Sequence, residues 1–422
     1  MYKRQPLFHV AELLLNLSII LIFAKVGGEI AVRFIKIPQV LGELVAGIII
    51  SPFALGGIEI LNFGPLFNVE NNLPVSKEIF FLAQLGAVFL LFEVGIETNK
   101  SKFYSALRPS IFVALGGVIL PFLFGFFCTI LLGFANLNSI QAMSPALFVG
   151  AIMTATSIGI TARVLSDINQ LDSKEGITIL GGAVVDDVLG IIILAIVIGI
   201  GEKGEISLSS VILITIKAFG FWIGLMILGS LISKRLSSFA LSFKSTGSAL
   251  LIASIYGLIA SAVAEVYFGL AMIIGSYTMG LVLSDTELEH KVEKPISNIN
   301  KILVPIFFCV VGMQLDLSFI TGESDQSLSK IIIFTILLSI LAIISKIFGS
   351  GIPAYFVGFD RKSSWKIGLG MLPRGEVAII IAGIGLTTGV IGADIFGISL
   401  VVTIVTTILA PILLVRAYKN KK

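Results

Sequence analysis

Two adjacent carboxylic acids, Asp186 and Asp187, sit in the run from Gly181 to Ile193, in which every other residue is Gly, Ala, Val, Leu or Ile. On insertion scales an Asp at a bilayer centre costs about 2.5–3.5 kcal/mol, so the pair costs its helix about 5–7 kcal/mol. Packing offers nothing in return. Close carboxylates raise each other's proton affinity, burial adds to that, and a nearby cation lowers it, so a proton and a cation compete for the same oxygens. The chemistry such a pair suits is holding a proton at one moment and a metal cation at the next.

The elements that must position this pair are membrane helices. The 422-residue chain is 56% hydrophobic and only 13% charged, with a net charge of +3, and its mean hydropathy is +1.05. Soluble domains average about 45–50% apolar and 25% charged residues, so this is an all-α polytopic membrane protein. Windows of the length that spans a bilayer predict thirteen transmembrane helices, near 9–32, 38–55, 78–97, 110–134, 144–166, 176–200, 207–232, 246–266, 270–285, 301–319, 330–357, 367–389 and 393–416. A start near Gly176 places Asp186 and Asp187 about 15–16 Å along the sixth, at the midplane. Neighbouring residues point about 100° apart, so one carboxylate can face a cavity while the other faces a partner helix.

Lys346 falls near the middle of the eleventh span, too deep to snorkel, and needs an anionic partner; Asp186 or Asp187 is the obvious one. Thr156 and Ser157 interrupt the fifth span and offer hydroxyl and freed carbonyl oxygens, hard ligands suited to Na⁺ or Li⁺. Irregular backbone at that depth is tolerated only where it lines a cavity or is buried in protein. Pro373-Arg374-Gly375-Glu376 and Thr387-Thr388-Gly389 interrupt the twelfth span, with Arg374 and Glu376 as a local ion pair that holds the break in shape. Glu43, Glu93, Glu97 and Glu265 are weaker candidates for an ion pathway, and His9 and His290 lie at a surface or in a loop. Cys128 and Cys309 lie in separate apolar runs, where they form neither a disulfide framework nor a metal finger. The piece Ser284 to Lys301 mixes both charges and is expected to be a solvated linker.

Sorting the basic residues by loop puts twenty on one side and five on the other. By the positive-inside rule the N-terminus lies outside and the C-terminus in the cytoplasm of a multi-pass protein of the cell's inner (plasma) membrane. Interrupted helices seven spans apart suggest two inverted repeats, about 9–200 and 246–416, linked by the span at 207–232, within one transmembrane domain that carries no soluble regulatory domain.

Leu85 to Phe92, Ala155 to Leu165, Gly182 to Gly190 and Pro373 to Val377 together resemble the signature segments of the monovalent cation:proton antiporter-2 family, and most closely its NapA-like bacterial sodium/proton antiporters. The resemblance runs from about residue 9 to 416. It implies the inverted-repeat sodium/proton antiporter fold, with two broken helices crossing beside the aspartates, and a homodimer. By position it implies that Asp187 is the ion-binding and proton-carrying acid, Asp186 the acid that pairs with the core lysine, Lys346 that lysine, and Thr156 and Ser157 the unwound crossing segment. The potassium-efflux branch has a different residue at the Asp186 position and an added nucleotide-binding domain, so the resemblance favours sodium. Glu93 departs from the pattern, where an apolar residue is expected.

The reading is therefore a secondary antiporter and not an enzyme. Na⁺ or Li⁺ and protons compete for Asp186 and Asp187, with Ser157 and Thr156 as further Na⁺ ligands, in exchange by alternating access. No cofactor is expected; the partners are a monovalent cation, protons and the lipid bilayer, with no nucleic acid. K⁺/H⁺ exchange on the same scaffold is the alternative. An intramembrane aspartyl protease needs acids converging from different helices, and a channel needs a multi-ion file rather than one site with a competing lysine.

Overall fold

The computed structural model describes residues 5–59, 65–69, 73–203, 208–316 and 327–419. Among them every regular element is helical: α1 Gln5–Ile30, α2 Gln39–Ile50, α3 Lys77–Glu97, α4 Lys100–Leu131, α5 Ile140–Thr154, α6 Ile158–Asp167, α7 Lys174–Lys203, α8 Leu208–Ser242, α9 Ser248–Phe268, α10 Met272–Leu283, α11 Glu287–Met313, α12 Leu328–Phe356, α13 Arg361–Gly370, α14 Glu376–Thr387 and α15 Ala393–Lys419. Eleven stretches among the described residues are long and apolar enough to cross a membrane, with α5 and α6 counted as one; α10 and α14 are apolar but shorter. Large apolar side chains stay exposed along their outer faces, as Ile216, Leu228 and Leu231 do on α8. That is how a helix surface looks when its solvent is lipid.

The chain divides into two compact units, Met1–Leu90 with Glu293–Asp316, and Leu91–Val292 with Leu317–Lys422. The first has its own apolar core, in which Ile20 and Ala24 of α1, Ile79 and Ala83 of α3 and Ile306, Cys309 and Val310 of α11 are buried. The second unit holds the aspartates. In it α4 packs along α12, α7 and α5, and α14 lies on α5 and α15. Its core joins Phe148 and Ile152 of α5, Phe334 and Leu338 of α12, Ile381 of α14 and Ile398 of α15.

Two expectations need correction. The piece from Ser284 to Lys301 is not a linker, because α11 begins at Glu287. Leu288, Val292, Ile296 and Asn300 recur every fourth residue and are all buried, so the mixed charges occupy the outer face of a helix. Charge density hid a helical period. Thr387-Thr388-Gly389 does not break the twelfth span either: α14 ends at Thr387, and Gly389 takes the left-handed conformation (φ 70°) that stops helices. The break lies at 371–375. The end of the predicted tenth span and the basic residues Lys3, Arg4, Lys421 and Lys422 lie outside the described residues.

Candidate functional site

Asp186 and Asp187 lie close to the middle of α7 and are 1% and 3% exposed. Small residues let α7 reach that depth against α4: a side chain at Gly181 would meet the Ser110 hydroxyl, which donates to the Thr178 carbonyl at 3.1 Å. The Lys346 ammonium, on α12, donates to Asp186 Oδ1 at 3.0 Å. Its other two bonds go to backbone carbonyls, Gly117 on α4 at 2.8 Å and Thr154 at the end of α5 at 2.5 Å. An ammonium has three N–H donors, so this one is saturated.

Asp187 is different. No protein donor reaches either of its carboxylate oxygens, nor Asp186 Oδ2. Asp187 faces Asp186 and Glu376 as like charges and Lys346 as the opposite one. Buried polar atoms are nearly always hydrogen-bonded, and a buried carboxylate left without a partner is expensive. A proton on either acid, or a cation between them, would remove that cost.

The two helix breaks meet beside these acids. Between α5 and α6, residues 155–157 leave the helix; between α13 and α14, residues 371–375 do. The Ser157 amide donates to the Pro373 carbonyl at 2.8 Å. The Thr156 hydroxyl lies within reach of Asp186 but donates to the Met371 carbonyl at 3.2 Å. The Thr161 hydroxyl donates to the Gly370 carbonyl at 2.7 Å. Gly375 is required by the closeness of the crossing, since a Cβ there would stand 2.9 Å from the Ser157 hydroxyl.

Arg374 is fully buried, and its Nη2 donates across the crossing to the Met153 carbonyl at 2.7 Å, while the Thr407 hydroxyl donates to the Arg374 carbonyl. Its support therefore reaches the other broken helix rather than only its own segment. Asp186, Asp187, Lys346, Thr156, Ser157, Arg374 and Glu376 are thus gathered in one place.

The other acids lie on other helices. Glu43 is buried on α2, where Gln39 donates to it at 2.7 Å; Glu265 is exposed on α9; and Glu93 and Glu97 are half-buried on α3. His9 and His290 are exposed. Sequence reasoning missed the carbonyls of Gly117, Met153 and Thr154 and the hydroxyl of Thr161. Backbone oxygens carry no sequence signal, and the glycines Gly116-Gly117 in α4 and Gly349 in α12 are the hint of a close approach.

A sodium/hydrogen exchanger (transmembrane) family model matches residues 18–419. The chain is 34% identical to a high-affinity Na⁺/H⁺ antiporter, NhaS3, of Synechocystis sp., over 98% of this chain and 91% of that protein. It is 33% identical to a Na⁺/H⁺-K⁺ antiporter, GerN, of Bacillus cereus, over 97% of both. In structure it resembles the sodium proton antiporter MjNhaP1 of Methanocaldococcus jannaschii, with a TM-score of 0.67 over 97% of this chain and 99% of that one at 19% identity, a likeness of fold. With a family model covering nearly its whole length and full-length relatives above 30% identity, the chain belongs to the sodium/hydrogen exchanger family of membrane antiporters.

Proposed function

We propose that the chain exchanges Na⁺ or Li⁺ for H⁺ by alternating access, with Asp187 as the acid that both ions share. The observation that carries this reading is the pair of Asp187 oxygens, buried and without a protein donor, beside two crossing backbone breaks. In the outward-open state protons neutralise the acids. In the inward-open state the protons leave, and a small cation takes Asp187 and Asp186, which turns away from Lys346, with oxygens of Thr156 and Ser157 completing its shell. Hard oxygen ligands suit a small monovalent ion. Because either occupant satisfies the same carboxylates, each crossing carries one or the other, and the two gradients are coupled.

Asp187→Asn, which keeps size but cannot compete for a proton, should reduce Na⁺-driven proton movement in proteoliposomes to the protein-free background while the purified protein still melts cooperatively. Exchange surviving in that variant would falsify the role of Asp187.

The K⁺ alternative draws its support from the relative named as a Na⁺/H⁺-K⁺ antiporter. With equal Na⁺, Li⁺ and K⁺ supplied in turn, an equal or larger response to K⁺ would select it. The same proposal includes thirteen crossings, counting α10 and the α13–α14 pair with the eleven longer stretches, as inverted repeats with the C-terminus in the cytoplasm. Single cysteines at Ser101 and Ser245, both exposed, should then be silent to an impermeant thiol reagent added outside intact cells. The homodimer belongs to the proposal as well, and a monomer mass in mild detergent would remove it.

A further inference from the structure

The last of the four hydroxyls from Thr335 to Ser350 along α12 behaves unlike the three before it. Thr335, Ser339 and Ser345 each turn back on their own helix, donating to the Ile331, Thr335 and Ala342 carbonyls at 2.8, 2.7 and 3.3 Å. Ser350 does not. Its side chain is fully buried, and its hydroxyl has no hydrogen-bond partner in the protein. A serine in a helix has a ready acceptor four residues back, so a hydroxyl that declines it in a buried place asks for an explanation.

The explanation lies one turn away. Ser350 follows Lys346 by four residues, which puts both on one face of α12. Across from them on α4 is Gly117. A Cβ built at Gly117 would collide with the Ser350 hydroxyl and stand 3.7 Å from Lys346 Nζ, so the hydroxyl and the ammonium flank the same point. The absence of a side chain at 117 leaves the way between them open, while its carbonyl already holds one N–H of the ammonium at 2.8 Å.

We propose that Ser350 is the alternative acceptor for Lys346. When Asp186 turns to the transported cation, the ammonium keeps its bonds to the Gly117 and Thr154 carbonyls and moves its third N–H from Asp186 Oδ1 to Ser350 Oγ. No proton is transferred; one hydrogen bond is exchanged for another, and Lys346 keeps its charge. Without such an acceptor a buried ammonium would be left with an unmet donor each time the cation binds, and that penalty would appear as weaker cation affinity. Ser350 is thus a positioning residue that acts through Lys346, and this inference rests on the Asp187 site proposed above.

The test is Ser350→Ala in the full-length protein reconstituted in vesicles. The expected result is a KM for Na⁺ raised about five- to tenfold with kcat little changed, and a cation-free melting temperature that stays where it was, because the hydroxyl makes no bond in that state. Ser350→Thr, which keeps the hydroxyl, should return KM toward the wild-type value. An unchanged KM in Ser350→Ala overturns the proposal, and so does a raised KM that comes with an equal fall in cation-free melting temperature, which would mark a structural role. The Asp187 reading fails separately, through exchange by Asp187→Asn, so the two outcomes are distinguishable.

Discussion

The two broken helices are built alike and finished differently. Each first half ends at the crossing with carbonyls that have no partner in their own helix, and those ends carry the partial negative charge of a helix C-terminus. At the end of α5 the carbonyls of Met153 and Thr154 are met by cations, the Arg374 guanidinium and the Lys346 ammonium. At the end of α13 the carbonyls of Gly370, Met371 and Pro373 are met by neutral donors, the Thr161 and Thr156 hydroxyls and the Ser157 amide. All the donors at the second end come from the first broken helix and its flank. The first break is therefore an electrostatic element tied to Asp186 through Lys346, whereas the second is a mechanical partner held against it. The difference teaches that the α5 end is tied to an aspartate through a charged group, the Lys346 ammonium, whereas at the α13 end the tie is a neutral one, the Thr156 hydroxyl within reach of Asp186.

The sharpest way to break this comparison is to remove the cation that serves both the α5 end and the acid. Lys346→Met keeps length and apolar packing but leaves Asp186 buried without its counter-charge. Breaking a buried pair from one side costs about 3–5 kcal/mol, so melting in the absence of cation should fall markedly, and Asp186→Asn in the same chain should recover most of the loss. If the double variant is no better than Lys346→Met, then Lys346 acts mainly as a cap for α5, and the link between that cap and the ion site is wrong.

Arg374→Met asks the same question of a cation that caps without bonding to an aspartate. It forfeits the bond to the Met153 carbonyl, yet it also removes two buried nitrogens, Nε and Nη1, that have no hydrogen-bond partner. The net loss should be smaller, about 1–3 kcal/mol. Combining it with Asp186→Asn should bring no recovery, in contrast to the lysine. Equal rescue of both variants would show that the two cations form one electrostatic unit and that the distinction drawn between them is false.

Which parts of this were legible in the sequence follows from what each part is made of. Asp186, Asp187 and Lys346 announced themselves because charge inside an apolar run is costly wherever it occurs. The broken helices were visible through Thr156-Ser157 and Pro373-Gly375, since these residues interrupt apolar stretches. The bounds were poorer: α4 starts at Lys100, well before the apolar window that opens near 110, and runs straight through Pro109. The start of α11 was hidden because its charges face outward while its buried residues keep a four-residue spacing. The ends of the half-helices were beyond reach, because what matters there is which carbonyl a side chain from a distant helix finds. Thr161 and Ser350 look in sequence like any other hydroxyl in a membrane helix, and only their partners, or the want of one, set them apart.

The smallest expected effect lies at the neutral end. Thr161 is fully buried on α6, and its hydroxyl donates to the Gly370 carbonyl at 2.7 Å. Thr161→Val keeps the branched shape and removes that donor. A neutral hydrogen bond contributes about 0.5–1.5 kcal/mol net, and the carbonyl left behind adds to the loss, so a destabilisation of about 1–2 kcal/mol is expected. Because no charge is altered, the loss should be the same with and without Na⁺, and the melting shift produced by Na⁺ should match that of the wild type. A change in that cation-dependent shift would mean that the α13 end registers the occupant of the aspartates. The two breaks would then act alike rather than as a charged tie and its neutral support.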